Sequence, residues 1–330
     1  MMGGRIGRVA VVCCALFGIG IGPVVALQAG TASATTPIPE VAPYFETTAT
    51  HSGNLATAIA SHGLRSFTAA FVLGKGCTAT WDDGSTITGT DARSKLVKAG
   101  QTSGATAIIS FGGEFGAELA KTCTNVTSLV TAYTGVINKF GVSKIDFDVE
   151  GTTALNDTAT NTRRYTAIRS LEQKFPKLEV SLTIPVGLSG FNANPTYGNA
   201  VAFLKLAKTT NTRIDVFNIM TMNYGSAVAN MGTAATTAAR DSMAQIKSIW
   251  PADGYKNLGI TPMIGENDSA GETFTYNNSQ AVVVFAHNNG VHRLAFWSLN
   301  RDQKCTGETP PGPCTGLTQQ PLDFIDGFLN

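Results

Sequence analysis

Three acids stand at alternate positions in Lys144-Ile145-Asp146-Phe147-Asp148-Val149-Glu150. Along a strand successive side chains take opposite faces. Ile145, Phe147 and Val149 then share one side, and Asp146, Asp148 and Glu150 share the other, roughly 6.6 Å apart. Three confined carboxylates cannot all ionise cheaply, because repulsion and desolvation raise at least one pKa and make the group share protons. A carboxylic acid that keeps its proton near neutral pH is what cleavage of a glycosidic bond requires. Two other uses fit the same residues. One is the solvated face of an antiparallel edge strand, although the surroundings read as parallel α/β units covered on both faces. The other is a site for a hard divalent cation, although no Asx-Gly loop pattern accompanies it and the following glycine is Gly151. The residues alone leave all three open.

The elements that must position these acids can be read from the apolar pattern. Strands are expected at Val41–Phe45, Ser66–Leu73, Ala105–Phe111, Lys144–Glu150, Val180–Pro185, Val216–Met222, Gly259–Ile264 and Leu294–Ser298. Between them lie amphipathic stretches: Asn54–Ser61, Ala92–Gln101, Val126–Phe140, Thr160–Lys174, Ala200–Lys208, Thr236–Ile249 and Ser279–Asn288. A last candidate helix is Leu322–Leu329. Eight strands, each followed by a helix, predict an α/β fold of the (β/α)₈ barrel type in one domain. Two doubly wound domains would want a linker near the midpoint, and no Pro/Ser-rich gap lies there.

Composition narrows the partners. The 330 residues carry 24 Lys plus Arg against 23 Asp plus Glu, with 43% hydrophobic and 14% charged residues. Such a chain forms a core, and with no basic excess it excludes nucleic acid as an expected partner. Arg5 and Arg8 precede an apolar run from Val9 to Leu27, and Ala32-Ser33-Ala34 offers a small-x-small cleavage site. Residues 1–34 are therefore expected to be an export leader, and residues 35–330 a secreted, monomeric barrel with no membrane attachment after cleavage. Cys13 and Cys14 leave with the leader, and the even count that remains favours two disulfides. Cys77 follows the second strand and Cys123 the third, on neighbouring connections, while Cys305 and Cys314 bound the Pro-rich segment Thr309–Pro313. The pairing Cys77–Cys123 and Cys305–Cys314 is the expected one of three. His51, His62, His287 and His292 lack metal-ligand spacing, and no phosphate loop or nucleophile elbow is present.

At this point the chain resembles a family. Asp146-Phe147-Asp148-Val149-Glu150-Gly151 is similar to the D-x-x-D-x-D-x-E signature on the fourth strand of glycoside hydrolase family 18, the chitinases. Ser110-Phe111-Gly112-Gly113 resembles its S-x-G-G motif on the third strand. Asn218-Ile219-Met220-Thr221-Met222-Asn223-Tyr224-Gly225 resembles the Met/Tyr motif of the sixth. Thr261 to Gly265 and Leu294 to Asp302 resemble the last two strands of secreted bacterial members. The likeness covers nearly the whole chain beyond the leader.

The resemblance implies retaining hydrolysis of β-1,4-linked N-acetylglucosamine chains without a cofactor or an enzyme nucleophile, an exception to the two-carboxylate scheme. Glu150 would protonate the leaving oxygen and then activate water. Asp148 would orient the substrate's acetamide, whose oxygen attacks the anomeric carbon, and Asp146 would share a proton with Asp148. Ser110 and Tyr44 match positions that hydrogen-bond the buried Asp. Trp297 matches the aromatic floor under the reacting sugar. Met222, Asn223 and Tyr224 lie at the end of the sixth strand, where only one of the last two can point fully inward. Trp81 is expected to extend the groove or simply to pack, and Trp250 to be structural.

Two departures stand out. The leading Asp of the signature is Ser143 here, followed by Lys144, which removes a carboxylate expected beneath the site. Asn223 replaces the aspartate many bacterial members carry. The connection from strand seven to strand eight is too short for the α+β insertion of deep-cleft members, so an open groove and endo-type attack are expected. The alternatives are an endo-β-N-acetylglucosaminidase acting on N-glycans and a carbohydrate-binding lectin on the same barrel.

Overall fold

The computed structural model describes residues 37–192 and 197–330. The expected leader, residues 1–34, lies outside the described residues. From Thr36 to Asn330 the chain forms one compact unit. Its elements run β1 (Glu40–Val41), β2 (Tyr44–Glu46), α1 (Gly53–His62), β3 (Ser66–Lys75), β4 (Thr78–Trp81), α2 (Ala92–Thr102) and β5 (Thr106–Gly112). Then come α3 (Leu119–Thr122), α4 (Val126–Phe140), β6 (Lys144–Asp148), α5 (Gly151–Asn156), α6 (Thr158–Lys174), β7 (Glu179–Pro185), α7 (Ala200–Thr209) and β8 (Val216–Met220). The chain continues through α8 (Met231–Ile249), β9 (Leu258–Thr261), β10 (Gly265–Glu266), β11 (Thr273–Phe274), α9 (Tyr276–Asn289), β12 (Arg293–Leu294) and α10 (Asp323–Leu329).

The main sheet is parallel in the order β1-β12-β9-β8-β7-β6-β5-β3-β2, with β4 folded back antiparallel onto β3. Its two ends are carried by one interrupted stretch. Residues 40–41 pair with β12 on one flank, and residues 44–46 pair with β3 on the other. Pro43 falls at the interruption, where it has no N–H to give to a ladder. The sheet is therefore curled so that its flanks meet in residues 40–46, as the barrel expectation requires.

Local chemistry sets the helices. Asp91, Asn125, Asp157, Asn199 and Asn230 each accept a backbone N–H in the first turn of α2, α4, α6, α7 and α8, satisfying donors that a helix cannot satisfy internally. The Asn230 cap starts α8 five residues before the expected Thr236. Glycines in the left-handed region close α1, α4 and α9. Outward-facing strand residues such as Phe67, Ile109, Phe111, Ile145, Phe147, Val180 and Leu182 pack under the helices in one continuous core. Three expected strands stop short, at Asp148, Met220 and Thr261, because the chain leaves the ladder there to form the loops of the upper face. The eighth pairs only over Arg293–Leu294, with one further bridge from Trp297 to Met263.

Both expected disulfides are present, Cys77–Cys123 and Cys305–Cys314. The first ties the β3–β4 turn to the residue after α3, and the second closes its own loop. The seventh connection holds only the two-stranded β10–β11 ribbon before α9. Among the described residues no helix is long and apolar enough to cross a membrane.

Candidate active site

Alternation along β6 places Asp146 at mid-strand, 1% exposed, surrounded by hydroxyls from the adjacent β5 and β7 and from β2 across the interior. Tyr44 Oη donates to Oδ2 at 3.0 Å and Ser110 Oγ at 2.7 Å. Ser181 Oγ donates to Oδ1 at 2.6 Å and Thr183 Oγ1 at 2.8 Å. Four donors fill the acceptor positions of one carboxylate, which is how a buried acid is held without a cation partner. A further layer steadies the donors. Asn218 Nδ2 donates to Thr183 Oγ1 at 3.0 Å, and Thr261 Oγ1 donates to Asn218 Oδ1 at 2.9 Å. Sequence reasoning found Tyr44 and Ser110 but missed Ser181, Thr183, Asn218 and Thr261. The signal was there: Val180-Ser181-Leu182-Thr183-Ile184 alternates apolar and hydroxyl, the mark of a strand with a polar inner face.

Two residues further on, Asp148 is 4% exposed and lines a cleft of about 440 Å³ together with Glu150. Its Oδ1 has no hydrogen-bond partner. Burial, then the negative charges of Glu150 and Asp146, push the Asp148 carboxyl well above the usual range. Glu150 keeps an extended backbone just past the end of β6 and interacts side chain to side chain with Asp148. Burial first, then the charge of Glu114 and, more weakly, that of Asp268, lift it to about 7, against the lowering effect of Asp148. The pair can therefore hold a proton near neutrality, poised at the cleft wall, while Asp146 stays fixed beneath.

The S-F-G-G segment is required by close backbone approach. A Cβ on Gly112, which has φ +114°, would lie 2.0 Å from the carbonyl oxygen of Asp148. Gly113, at φ +93°, donates its N–H to that same oxygen at 3.1 Å, and a Cβ there would lie 2.7 Å from the Phe71 ring. Both positions need glycine for φ and for space. They set the height at which Asp148 leaves the strand.

Trp297 lines the cleft and stacks on Phe71, with centroids 5.6 Å apart and planes 12° apart. Tyr44 packs against both rings at about 6 Å. The result is an aromatic wall beside the acids, of which Phe71 had escaped sequence reasoning. Met222 and Asn223 line the cleft as expected. Asn223 donates to Asp268 Oδ2 at 2.7 Å and accepts from the Ser269 N–H at 3.2 Å, so it fixes the turn between β10 and β11. The rim carries more carboxylates than the sequence suggested: Glu46, Asp82, Glu114 and Asp268. Asp82, Glu114 and Asp268 lie outside the named strands and helices, so pattern reasoning had nothing to find them by, and Glu46 falls one residue past the expected first strand.

Some expected contacts are corrected. Trp81 is fully buried, 5.8 Å from the Phe140 ring, with Nε1 donating to Asp91 at 2.9 Å. It packs rather than extends the groove, because β4 folds back on β3 and carries it beneath the helices. Tyr224 is 6% exposed and belongs to the core, leaving Asn223 as the inward member of that pair. Ser110 is fully buried and donates to Asp146, the contact expected of it. Trp250 packs on Phe217, 4.9 Å between centroids, a structural place as expected. Ser143 is exposed at the entry to β6. Lys144 turns inward at that lower end and binds Glu40 at 2.8 Å and Glu179 at 3.4 Å, beside Arg293. Glu40, Glu179 and His292 have metal-compatible spacing, but Lys144 and Arg293 already neutralise both carboxylates.

No protein-family model matches the chain. It is similar to a probable bifunctional chitinase/lysozyme of Escherichia coli (strain K12), 28% identical over 295 residues, covering 83% of this chain and 32% of that protein. It is also 27% identical over 298 residues to endochitinase 11 of Metarhizium anisopliae, covering 83% of this chain and 55% of that one. The chain thus spans about a third and about half of these curated relatives. Among solved structures, it superposes on active domain 2 of the thermostable chitinase of Pyrococcus furiosus, which was solved with chito-oligosaccharides. That match has a TM-score of 0.77 and 26% identity, and covers 89% of this chain and 95% of that one.

Proposed function

We infer that this chain, a glycoside hydrolase of the bacterial family 18 chitinase type, hydrolyses β-1,4-linked N-acetylglucosamine chains at internal bonds and does so outside the cell. The observation that carries the reading is the graded environment of the three acids. Asp146 has every acceptor position filled by hydroxyls, Asp148 has an unfilled buried oxygen, and Glu150 at about 7 faces the cleft beside Trp297.

Those environments support a substrate-assisted cleavage. The sugar lies on the indole, which offers apolar contact to its C–H face. Glu150 gives its proton to the glycosidic oxygen as that bond breaks. The substrate's acetamide oxygen closes on the anomeric carbon, and Asp148, oriented by the amide N–H, stabilises the positive ring that forms. Water, deprotonated by Glu150, then opens the ring with net retention. The wall is preformed, and its charges act on developing positive charge rather than on the neutral ground state, which raises turnover.

The short β10–β11 ribbon leaves the cleft open at its sides, which supports internal cutting. The residue pattern of positions 1–34 supports export. The test is a digest of chitin oligosaccharides analysed by mass spectrometry. Chitobiose is expected as a main product, with Glu150→Gln at least about 10³-fold slower. Release of whole glycans from glycoprotein, or binding with no turnover, would overturn the assignment.

A further inference from the structure

We propose that the loop closed by Cys305 and Cys314 forms a subsite for the sugar unit next to the pair that shares the broken bond, and that Arg301 is the residue that positions it; this rests on the reading of the site given above. Pro311, Gly312 and Pro313 of that loop line the same cleft as Trp297 and the acids. The proposed cleavage makes no use of them.

The loop is fixed from behind. Its base is held by the disulfide and by the Thr315 N–H, which donates to the Gln303 carbonyl at 3.0 Å. Arg301, 2% exposed, joins the loop to the rest of the cleft wall. Its guanidinium donates to the Gly312 carbonyl at 2.7 Å and to those of Ile264 and Glu266 at 3.0 and 2.8 Å. Ile264 in turn donates its N–H to the Trp297 carbonyl at 3.0 Å. A short run of hydrogen bonds thus ties the loop to the backbone of the tryptophan expected beneath the reacting sugar. The charges of Asp268, Glu46 and Glu266 favour the ionised guanidinium against its burial. Arg301 is therefore engaged on the protein side and acts on a ligand through the loop.

What the loop offers the cleft follows from its sequence. Proline has no N–H. The Gly312 N–H donates to the Thr309 carbonyl at 3.1 Å, and the Gly312 carbonyl is taken by Arg301. The half-buried rings of Pro311 and Pro313 remain as apolar surface at the cleft. Such a surface takes the C–H face of a sugar and asks for no hydrogen bond. Because the loop is ordered before binding, little freedom is lost on contact.

The experiment uses an N-acetylglucosamine trimer labelled at its reducing end, with products separated by mass spectrometry. Cutting either of its two bonds places the third unit on one side of the site or the other, so the split between the bonds compares the two sides within one substrate. In Pro311→Ser/Pro313→Ser the split should shift about fivefold away from the cut that seats the third unit on the loop. That is the factor expected when about one CH₂ group is no longer buried. Arg301→Lys keeps the charge but not the planar fork that spans three carbonyls, and should shift the split in the same direction. Added to the proline changes it should shift the split little further, because both act through one loop. A merely structural arginine would slow both cuts equally and leave the split unmoved. Turnover with the split unmoved in the proline variant, or moved in opposite directions by the proline and arginine variants, would overturn the subsite and leave the assignment standing. No cleavage of the trimer or of longer oligosaccharides by the unaltered enzyme would overturn both.

Discussion

Replacing Asp268 by Asn removes a negative charge from the cleft that Glu150 also lines and leaves the acid's burial unchanged. Burial is the first cause of the rise of Glu150 to about 7, with Glu114 and then Asp268 adding to it. For unit charges on the order of 8 Å apart in a wet site, at an effective dielectric of about 40–80, the Coulomb relation gives about 0.5–1 kcal/mol. That corresponds to about 0.4–0.8 pH unit. The sign follows directly: with one anion gone, ionised Glu150 is less disfavoured and loses its proton at lower pH. The basic limb of kcat/KM on acetylated oligosaccharides should therefore move toward acid by that amount. Glu114→Gln should do the same, and the double variant should roughly sum the two. Because burial remains, the limb should still lie above the ordinary carboxylate range. About 1 M salt should reproduce part of the displacement in the unaltered enzyme, since screening acts on the open rim and not on burial. A limb that stays in place in both single variants, or moves toward alkali, would refute the electrostatic account of this acid.

Two further outcomes test the scaffold. Gly112→Ala should cost about 3 kcal/mol or more in urea unfolding and abolish most activity, because the new methyl meets the Asp148 carbonyl at 2.0 Å with φ at +114°. Gly135→Ala, in α4 with nothing within 4 Å of the added methyl, should be neutral or stabilising by up to about 1 kcal/mol. The disulfides close segments 46 and 9 residues apart, so Cys77→Ser/Cys123→Ser should cost about 4 kcal/mol and Cys305→Ser/Cys314→Ser about 3 kcal/mol by loop-closure entropy. Thermal melts of the two double variants should fall in that order.

The parts legible in the sequence were those written in a period. Ile145-Asp146-Phe147-Asp148 alternates, and the alternation alone orients two of the acids; Glu150 follows because its backbone stays extended. The cysteines paired as expected because strand order fixes which connections are neighbours. Trp81 was left open between groove and packing for want of one turn. Thr78 to Trp81 alternates, and Asp83-Gly84 follows in the turn that returns the chain, with Trp81 and Ser85 bonded across it. Those residues make a hairpin arm whose tryptophan faces inward. The rim acids were invisible for a different reason. Glu114 and Asp268 belong to loops whose course is set by contacts distant in sequence, such as Asn223 with Asp268.

The interrupted first strand is the latch that closes the sheet. Glu40, Ala42 and Tyr44 donate their N–H groups to the carbonyls of His292, Leu294 and Phe296, while the Pro43 carbonyl accepts from the Thr68 N–H on the other flank. Local opening is cheapest where hydrogen-bonded pairing is thinnest. The seam is bonded on both sides, so its amides should exchange about as slowly as those of the acid-bearing strand. Tyr44, which reaches Asp146 from this latch, is thereby held in place from the far side of the sheet.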